Sequence, residues 1–415
     1  MQGVRRRENG ITTRAKFKLA TLNMRGATSS QEGETRNKWM LLNQVVRDRR
    51  IGVLAVQETH LDQTGAGELS RLFGQNVEIF VSADEHRPTG ARGVAFLVNK
   101  RVLKARECTA TEVVPGRAML LSFKWSADAN VTLLNVYAPN DRRENQCFWE
   151  QLRERRLENV DAVLGDMNMV EQARDRLPEH GDSEGQVEAM ADLMQGMGLV
   201  DGWRKEQPHM RLYSYMQSST GSQSRIDRIY VKMQAAHAYD GWTTEEPGIP
   251  TDHRIVMVSV ACRGAPFVGK GRWTMPVHLL NDELMVKKMR ALGEEFVNEV
   301  EGIGERSPSR NAQVAYRTFK DKLVAAARQR AKEKVPKIDR QISGLKDNIN
   351  AVLNGEGMLG RALLEEEVRT VAIMQDRLAK LEMKRFGSVR AGIATRHWAK
   401  SETISKYWVR SNAAP

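Results

Sequence analysis

The sequence predicts an α/β fold, a two-sheet α/β sandwich with helices packed outside it, followed by a mainly helical C-terminal appendage. Three observations lead there. Over the first 262 residues, many short apolar runs of strand length are separated by turn residues and interspersed helices. Beyond Cys262 the apolar residues recur at helical spacing instead. Several of the early runs also end on one polar or acidic residue, which is how a buried strand delivers a functional side chain to a sheet edge.

Element by element, residues 1–16 form a basic leader expected to be disordered. The stretch from Phe17 to Asn23 reads as a strand, and Thr35 to Arg50 as an amphipathic helix burying Trp39, Leu42, Val45 and Val46. Ile51 to Gln57 is a buried strand. Further strands are predicted at Val77–Ser82, Gly93–Val98, Ala118–Phe123, Val131–Val136, Val160–Leu164, Ile226–Val231 and Arg254–Val260. Helices are expected over Arg143–Glu158 and Val187–Met197. Residues 17–262 thus make one domain. Residues 263–280, rich in Gly, Pro and basic side chains, make a linker, and residues 281–415 a basic helical region. There, Asn281 can cap a helix to Val300, and a second helix spans Asn311–Lys334. Ile338, Ile342, Leu345, Ile349 and Val352 repeat at four-three spacing. After Asn354–Gly357, the rhythm resumes with Leu364, Val368, Val371, Gln375, Leu378 and Leu381, Gln375 being its one polar member. This predicts an antiparallel helical hairpin of the coiled-coil type at 337–386.

The bulk properties narrow the class. No apolar run is long enough to span a membrane, and the charged start lacks the apolar core of a secretory signal, so no membrane partner is expected. Three cysteines without metal-type spacing suit a reducing, intracellular compartment. The net charge of +12 is uneven: residues 263–415 carry about +11 and the rest about +1. A basic appendage on a near-neutral body suggests an anionic partner. The alternative is that these charges are only the solvated faces of helices.

Six signatures stand in order: Leu22-Asn23-Met24-Arg25-Gly26, Gln57-Glu58-Thr59-His60, Asn135-Val136-Tyr137-Ala138-Pro139-Asn140, Gly165-Asp166-Met167-Asn168, Ser224-Arg225-Ile226-Asp227 and Thr251-Asp252-His253. Phosphodiester hydrolysis needs neutralised phosphate charge, an oriented water and help for the leaving oxygen. Hard oxygen ligands suit Mg²⁺, with Mn²⁺ as the alternative. Glu58 fits the principal ligand and Asn23 a metal water or phosphate oxygen. Asp166 and Asn168, two apart, would point to one side of an extended backbone, as base toward water and as phosphate ligand. His253 can donate to a phosphoryl oxygen if a carboxylate keeps it charged, and Asp227 is the candidate. Tyr137 and Asn140 complete the donors. Singly, each signature is ordinary turn or surface chemistry; their order and combination are not.

That combination resembles the endonuclease/exonuclease/phosphatase superfamily, which includes the apurinic/apyrimidinic endonucleases, DNase I and the endonuclease domains of LINE-type (non-LTR) retrotransposons. The resemblance covers residues 17–262. It implies a DNase I-like sandwich and a Mg²⁺-dependent phosphodiesterase. It further implies Asn23 and Glu58 at the metal with Asp252 in support, Tyr137, Asn140 and Asn168 at the phosphate, Asp166 as base, and Asp227 orienting His253. Ser218 to Tyr230 is similar to a stretch of the retrotransposon branch, and Tyr213-Ser214-Tyr215 to another, which implies that Ser214 contacts DNA. Gly269–Trp273, Arg396-His397-Trp398 and Ser405–Trp408 resemble segments that precede the reverse transcriptase in such polyproteins, and the chain stops before any polymerase motif. A piece of a larger polyprotein is therefore expected.

Two departures matter. Apurinic endonucleases carry an acidic residue where this chain has Arg25, which counts against abasic-site repair. DNase I-type enzymes carry a histidine where this chain has Tyr137. The leading expectation is a target-nicking DNA endonuclease, in the nucleus by virtue of its substrate, with RNA as a further partner of the basic helical region. The alternatives are a repair endonuclease or other phosphodiesterase of the same fold, and a catalytically idle nucleic-acid-binding remnant. Removing everything beyond Cys262 is expected to spare hydrolysis and weaken DNA binding.

Overall fold

The computed structural model describes residues 13–14, 16–26, 32–126, 129–217, 219–261, 267–268, 273, 275–333, 337–358 and 361–401. The basic leader, apart from its last residues, most of 262–272, Ser218 and Ser405–Trp408 lie outside the described residues.

Two six-stranded sheets form the body. One runs Tyr239–Glu245, Ile255–Ala261, Lys16–Asn23, Ile51–Gln57, Val94–Asn99, Val77–Ser82. The other runs Leu199–Asp201, Asp227–Lys232, Ala162–Asp166, Ala129–Tyr137, Ala118–Ser126, Thr109–Val114. Each contains one parallel pair. Lys16–Asn23 lies parallel to Ile51–Gln57 with Asn23 opposite Gln57, and Ala129–Tyr137 parallel to Ala162–Asp166 with Tyr137 opposite Asp166. Asp227 is also in register with Asp166, on the strand's other side. These three registers bring the ends of four strands and the start of a fifth, Asp227–Lys232, to one edge of the sandwich.

Period-two alternation sorts the side chains. Leu19, Val53, Ala55, Leu133, Ala162, Leu164, Ile229 and Val258 face the other sheet and are buried. The intervening Leu22, Leu54 and Val56 pack under Trp39, Leu42, Val45 and Val46 of the helix Glu32–Asp48. Leu134, Val136 and Val163 pack under Phe148, Trp149, Leu152 and Met190 of the helices Arg142–Glu154 and Glu184–Gly196. Continuing the inward parity along each strand leads from this apolar core to Asn23, Gln57, Asn135, Tyr137, Asp166 and Asp227. Gln57 Nε2 donates across the sandwich to Asn135 Oδ1 at 2.7 Å, and Asn135 Nδ2 returns to the carbonyls of Val56 and Ala95. The core therefore ends in a layer of satisfied amides directly beneath the site.

Elements that periodicity did not reveal include the helix Gln63–Phe73, the short strand Leu199–Asp201, and the strands Thr109–Val114 and Tyr239–Glu245. Thr109–Val114 and Tyr239–Glu245 lie at a sheet edge with much of their length exposed, so neither carries an apolar run.

The chain divides into two compact units, residues 1–268 with 345–415, and 269–344. In the smaller unit, Glu283–Glu301 packs on Ala312–Glu333 around Leu279, Met285, Leu323 and Ala327. Asp282, not Asn281, caps the first helix: its carboxylate accepts from Met285 N–H at 3.0 Å and is clasped by Arg330. A carboxylate at the cap also meets the positive helix end favourably. In the larger unit, the last turns of Lys337–Asn354 and the helix Glu365–Ser401 lie against each other through the Lys346–Glu382 ion pair, 2.7 Å.

Candidate active site

Asn23 stands at the centre of the edge, fully buried. Its Nδ2 donates to Glu58 Oε1 at 2.8 Å and to Asp166 Oδ2 at 2.9 Å, while Oδ1 accepts from Arg25 N–H. Tyr137 donates its hydroxyl to the same Glu58 Oε1 at 2.9 Å. The second Glu58 oxygen takes no hydrogen bond among the described residues. Burial, followed by the charges of Glu58 and Asp166, raises the phenol's pKa, so Tyr137 stays a donor. The Arg117 guanidinium lies over its ring, 4.9 Å from the centroid.

Asp166 is held at both oxygens. Oδ2 takes Asn23, and Oδ1 takes Asn168 N–H at 2.9 Å. The expectation of an extended backbone through Asn168 is corrected here. The strand ends at Asp166, and Asn168 turns into the left-handed region at φ 51°, which Asn tolerates, so that its N–H points back at the carboxylate. Its side chain donates to the Ala138 carbonyl at 2.8 Å. Arg25, Glu58 and His60 have φ of 46°, 51° and 45°. Left-handed non-glycine residues cost roughly 1–3 kcal/mol each, and four at one edge mark it as a place where geometry outranks stability.

His253 is 6% exposed and lies opposite Tyr215, ring centroids 4.9 Å apart. Its Nδ1 is 2.9 Å from Asp227 Oδ2, and its Nε2 stands 4.0 Å from Asp166 Oδ2 and 3.9 Å from Asp252 Oδ1. Burial alone would lower the imidazole's pKa; Asp227, then Asp166 and Asp252, outweigh it and raise it to about 9. The Asp166 carboxyl is raised above the ordinary carboxylate range, first by burial and then by Asp227. Asp166, Asp227 and His253 offer ligand atoms all within 4.8 Å of one another.

Asp252 pairs with Arg25, Oδ2 to Nη1 at 3.1 Å. Thr251 Oγ1 donates to the Asn23 carbonyl and accepts from His253 N–H, tying two of the signatures together. Ser214 is 1% exposed; its hydroxyl accepts from Asp227 N–H at 3.0 Å and reaches the Ser224 carbonyl. It braces Asp227 from behind and does not present itself at the surface. Asn140 is exposed on the loop beyond Tyr137, outside the hydrogen-bonded cluster. Asn23, Glu58, Tyr137, Asp166, Asn168, Asp227, Asp252 and His253 therefore share one edge.

Three supports escaped sequence reasoning. Tyr215, which stands in the sequence only as a neighbour of Ser214, lies opposite His253. Arg25, which the sequence marks by the acid it replaces, also restrains Asp252. Buried Asp175 gathers Arg225 and Arg204 at 2.8 and 2.5 Å, with Arg228 3.7 Å away, anchoring the residues either side of Asp227.

The oxygen donors suit a hard divalent cation: Glu58 offers one oxygen that takes no hydrogen bond among the described residues, and Asn23 and Asp252 lie on the same edge.

No protein-family model matches the chain. A Transposon TX1 uncharacterized 149 kDa protein of Xenopus laevis is 33% identical over 191 residues, covering 44% of this chain. The chain spans only 14% of that relative's length. Among solved structures, an AP endonuclease from Leishmania major matches 60% of this chain and 88% of its own at 17% identity, with a TM-score of 0.51. The endonuclease domain of TRAS1, a telomere-specific non-LTR retrotransposon, matches 60% of this chain and 99% of its own at 13% identity and a looser TM-score of 0.41. The fold is thus that of an AP endonuclease, and the resemblance read from the six signatures agrees with both the structural and the sequence comparison.

Proposed function

We propose that this chain, with an AP endonuclease fold and sequence shared with a transposon protein, is a metal-dependent DNA endonuclease that nicks a retrotransposon's target. One observation carries the reading. The Glu58–Asn23–Asp166 hydrogen-bonded chain lies beside a buried Asp227–His253 pair, so acceptor and donor groups converge on one sheet edge.

Each residue has work it can do there. Asp166, fixed at both oxygens and with a raised pKa, can take the proton of an attacking water. His253, kept charged by Asp227, can donate from Nε2 to a phosphoryl oxygen on which charge grows. Asn168 has a second N–H beyond the one given to Ala138 to offer the same phosphate, and Tyr137 can join by turning its one O–H from Glu58, with Asn140 as an outer contact. Glu58 and Asn23, supported by Asp252, would hold Mg²⁺ or Mn²⁺, which supplies positive charge against the phosphate and leaving oxygens. Arg25 in place of a second acid supports intact DNA over abasic sites as substrate. The intact cluster disfavours an idle remnant.

The decisive assay is nicking of supercoiled plasmid with Mg²⁺, set against Asp166→Ala and EDTA. Open circles that vanish in both controls are expected. A well-folded chain that nicks nothing would overturn the proposal.

A further inference from the structure

Arg254 follows His253 directly, and its guanidinium reaches three parts of the larger unit. Nε donates to Glu246 Oε1 at 3.0 Å, Nη1 to the Tyr213 carbonyl at 3.1 Å, and Nη2 to Gln375 Oε1. Its backbone N–H donates to the Ser214 carbonyl. Ser214 in turn accepts from Asp227 N–H, and Asp227 holds His253. A continuous run of hydrogen bonds therefore leads from the C-terminal helix to the histidine–aspartate pair.

Gln375 is 2% exposed between buried Val371 and Leu378; farther along the same face the other buried polar residue, Glu382, is paired with Lys346. An amide buried without a partner costs about 1–3 kcal/mol, so this position is costly unless something uses it. Arg254 is what uses it. The end of the preceding helix, Lys337–Asn354, and the connection into the Gln375 helix are also well seated. Arg211, itself buried, donates to the carbonyls of Leu353, Met358 and Arg361, and Asn354 pairs with Arg211's backbone at 2.7 and 3.1 Å. A Cβ on Gly221, in the loop after Met216, would sit 3.1 Å from Ala372 of the Gln375 helix.

We infer that Gln375 is a positioning residue: through Arg254 it holds the Tyr213–Tyr215 and Asp252–Arg254 segments together, and with them the Asp227–His253 pair. The C-terminal helix then supports the catalytic edge, and hydrolysis depends on it. The kinetic consequence rests on the nuclease reading; the bracing does not.

The test uses the full chain. Gln375→Leu removes the acceptor, and the milder Gln375→Asn withdraws it by one methylene. Each should lower kcat for plasmid nicking about tenfold with KM within about twofold, since misplacement of a catalytic group by an ångström is worth that much or more. Gln375→Glu keeps an acceptor at the same reach and should restore kcat to within about twofold. Asn354→Ala loosens the end of the preceding helix at Arg211 without touching Arg254, and should lower the melting temperature while sparing kcat. Hydrogen exchange in peptides covering Tyr213–Tyr215 and His253–Ile255 should quicken in the Leu and Asn variants only. Unchanged kcat, unchanged exchange, failure of the Glu rescue, or an equal kcat loss in Asn354→Ala would each overturn the inference. Should Gln375→Leu not fold, Gln375→Asn decides. If the wild type nicks nothing, the nuclease reading fails and exchange alone decides the bracing.

Discussion

Asp227 and His253 form a buried pair, Oδ2 to Nδ1 at 2.9 Å, that leaves Nε2 facing Asp166 and Asp252. Because Nδ1 is engaged, the outward nitrogen is the one that can serve a substrate. Its proton is available only while the imidazole stays charged.

Asp227→Asn keeps the shape and removes the charge. His253's pKa, raised to about 9, should then fall, because burial would act with less opposition. Below that pKa the donor is present, so the alkaline limb of kcat against pH should move to lower pH in the variant. An unmoved limb would show that another group sets it.

His253→Ala removes the donor itself. Loss of one transition-state donor commonly costs 10²-fold or more, and about that fall in kcat is expected. Activity within a few-fold of wild type would take His253 out of the mechanism.

Glu58→Gln replaces the carboxylate that Asn23 and Tyr137 hold in place. A neutral amide is a poorer ligand for a hard cation, so the Mg²⁺ concentration for half-maximal rate should rise and turnover fall strongly. A superimposable Mg²⁺ titration would contradict the assignment.

Asp175 governs stability. Burial would raise its pKa, but Arg225, Arg228 and Arg204 outweigh burial and bring it to about 2. A carboxylate with a depressed folded pKa contributes stability that is present above its unfolded value near 4 and lost as pH falls through about 2. Asp175→Asn leaves three arginines short of a counter-charge. It should cost about 3–5 kcal/mol at neutral pH, the usual result of breaking a buried pair from one side, and should flatten the acid limb of stability. Denaturant melts at pH 7 and pH 3 would measure both effects.

Much of this was legible in the residues, for physical reasons. The inward parity that buries Leu19, Val53 and Leu164 is local to each strand, and it carries on to Asn23, Gln57 and Asp166. Strand identity, the polar strand ends and the chemistry they afford were therefore written in short stretches of sequence. So was the oddity of Gln375, as one polar residue in an apolar rhythm.

What the tertiary structure decided were pairings between distant residues, which no local period encodes. Arg25 and Asp252 meet because the antiparallel register of Lys16–Asn23 with Ile255–Ala261, continued past the strand ends, sets them opposite each other, and Thr251 ties the two segments there. Ser214 turned out to be a buried brace because the Tyr213–Tyr215 segment bridges to His253. The sequence by itself marked the residues beyond Cys262 as a separate appendage, since their composition and periodicity change there. Folding instead sets Gln375 against Arg254, 121 residues away, and a buried amide and a guanidinium find each other because neither can be left unpaired.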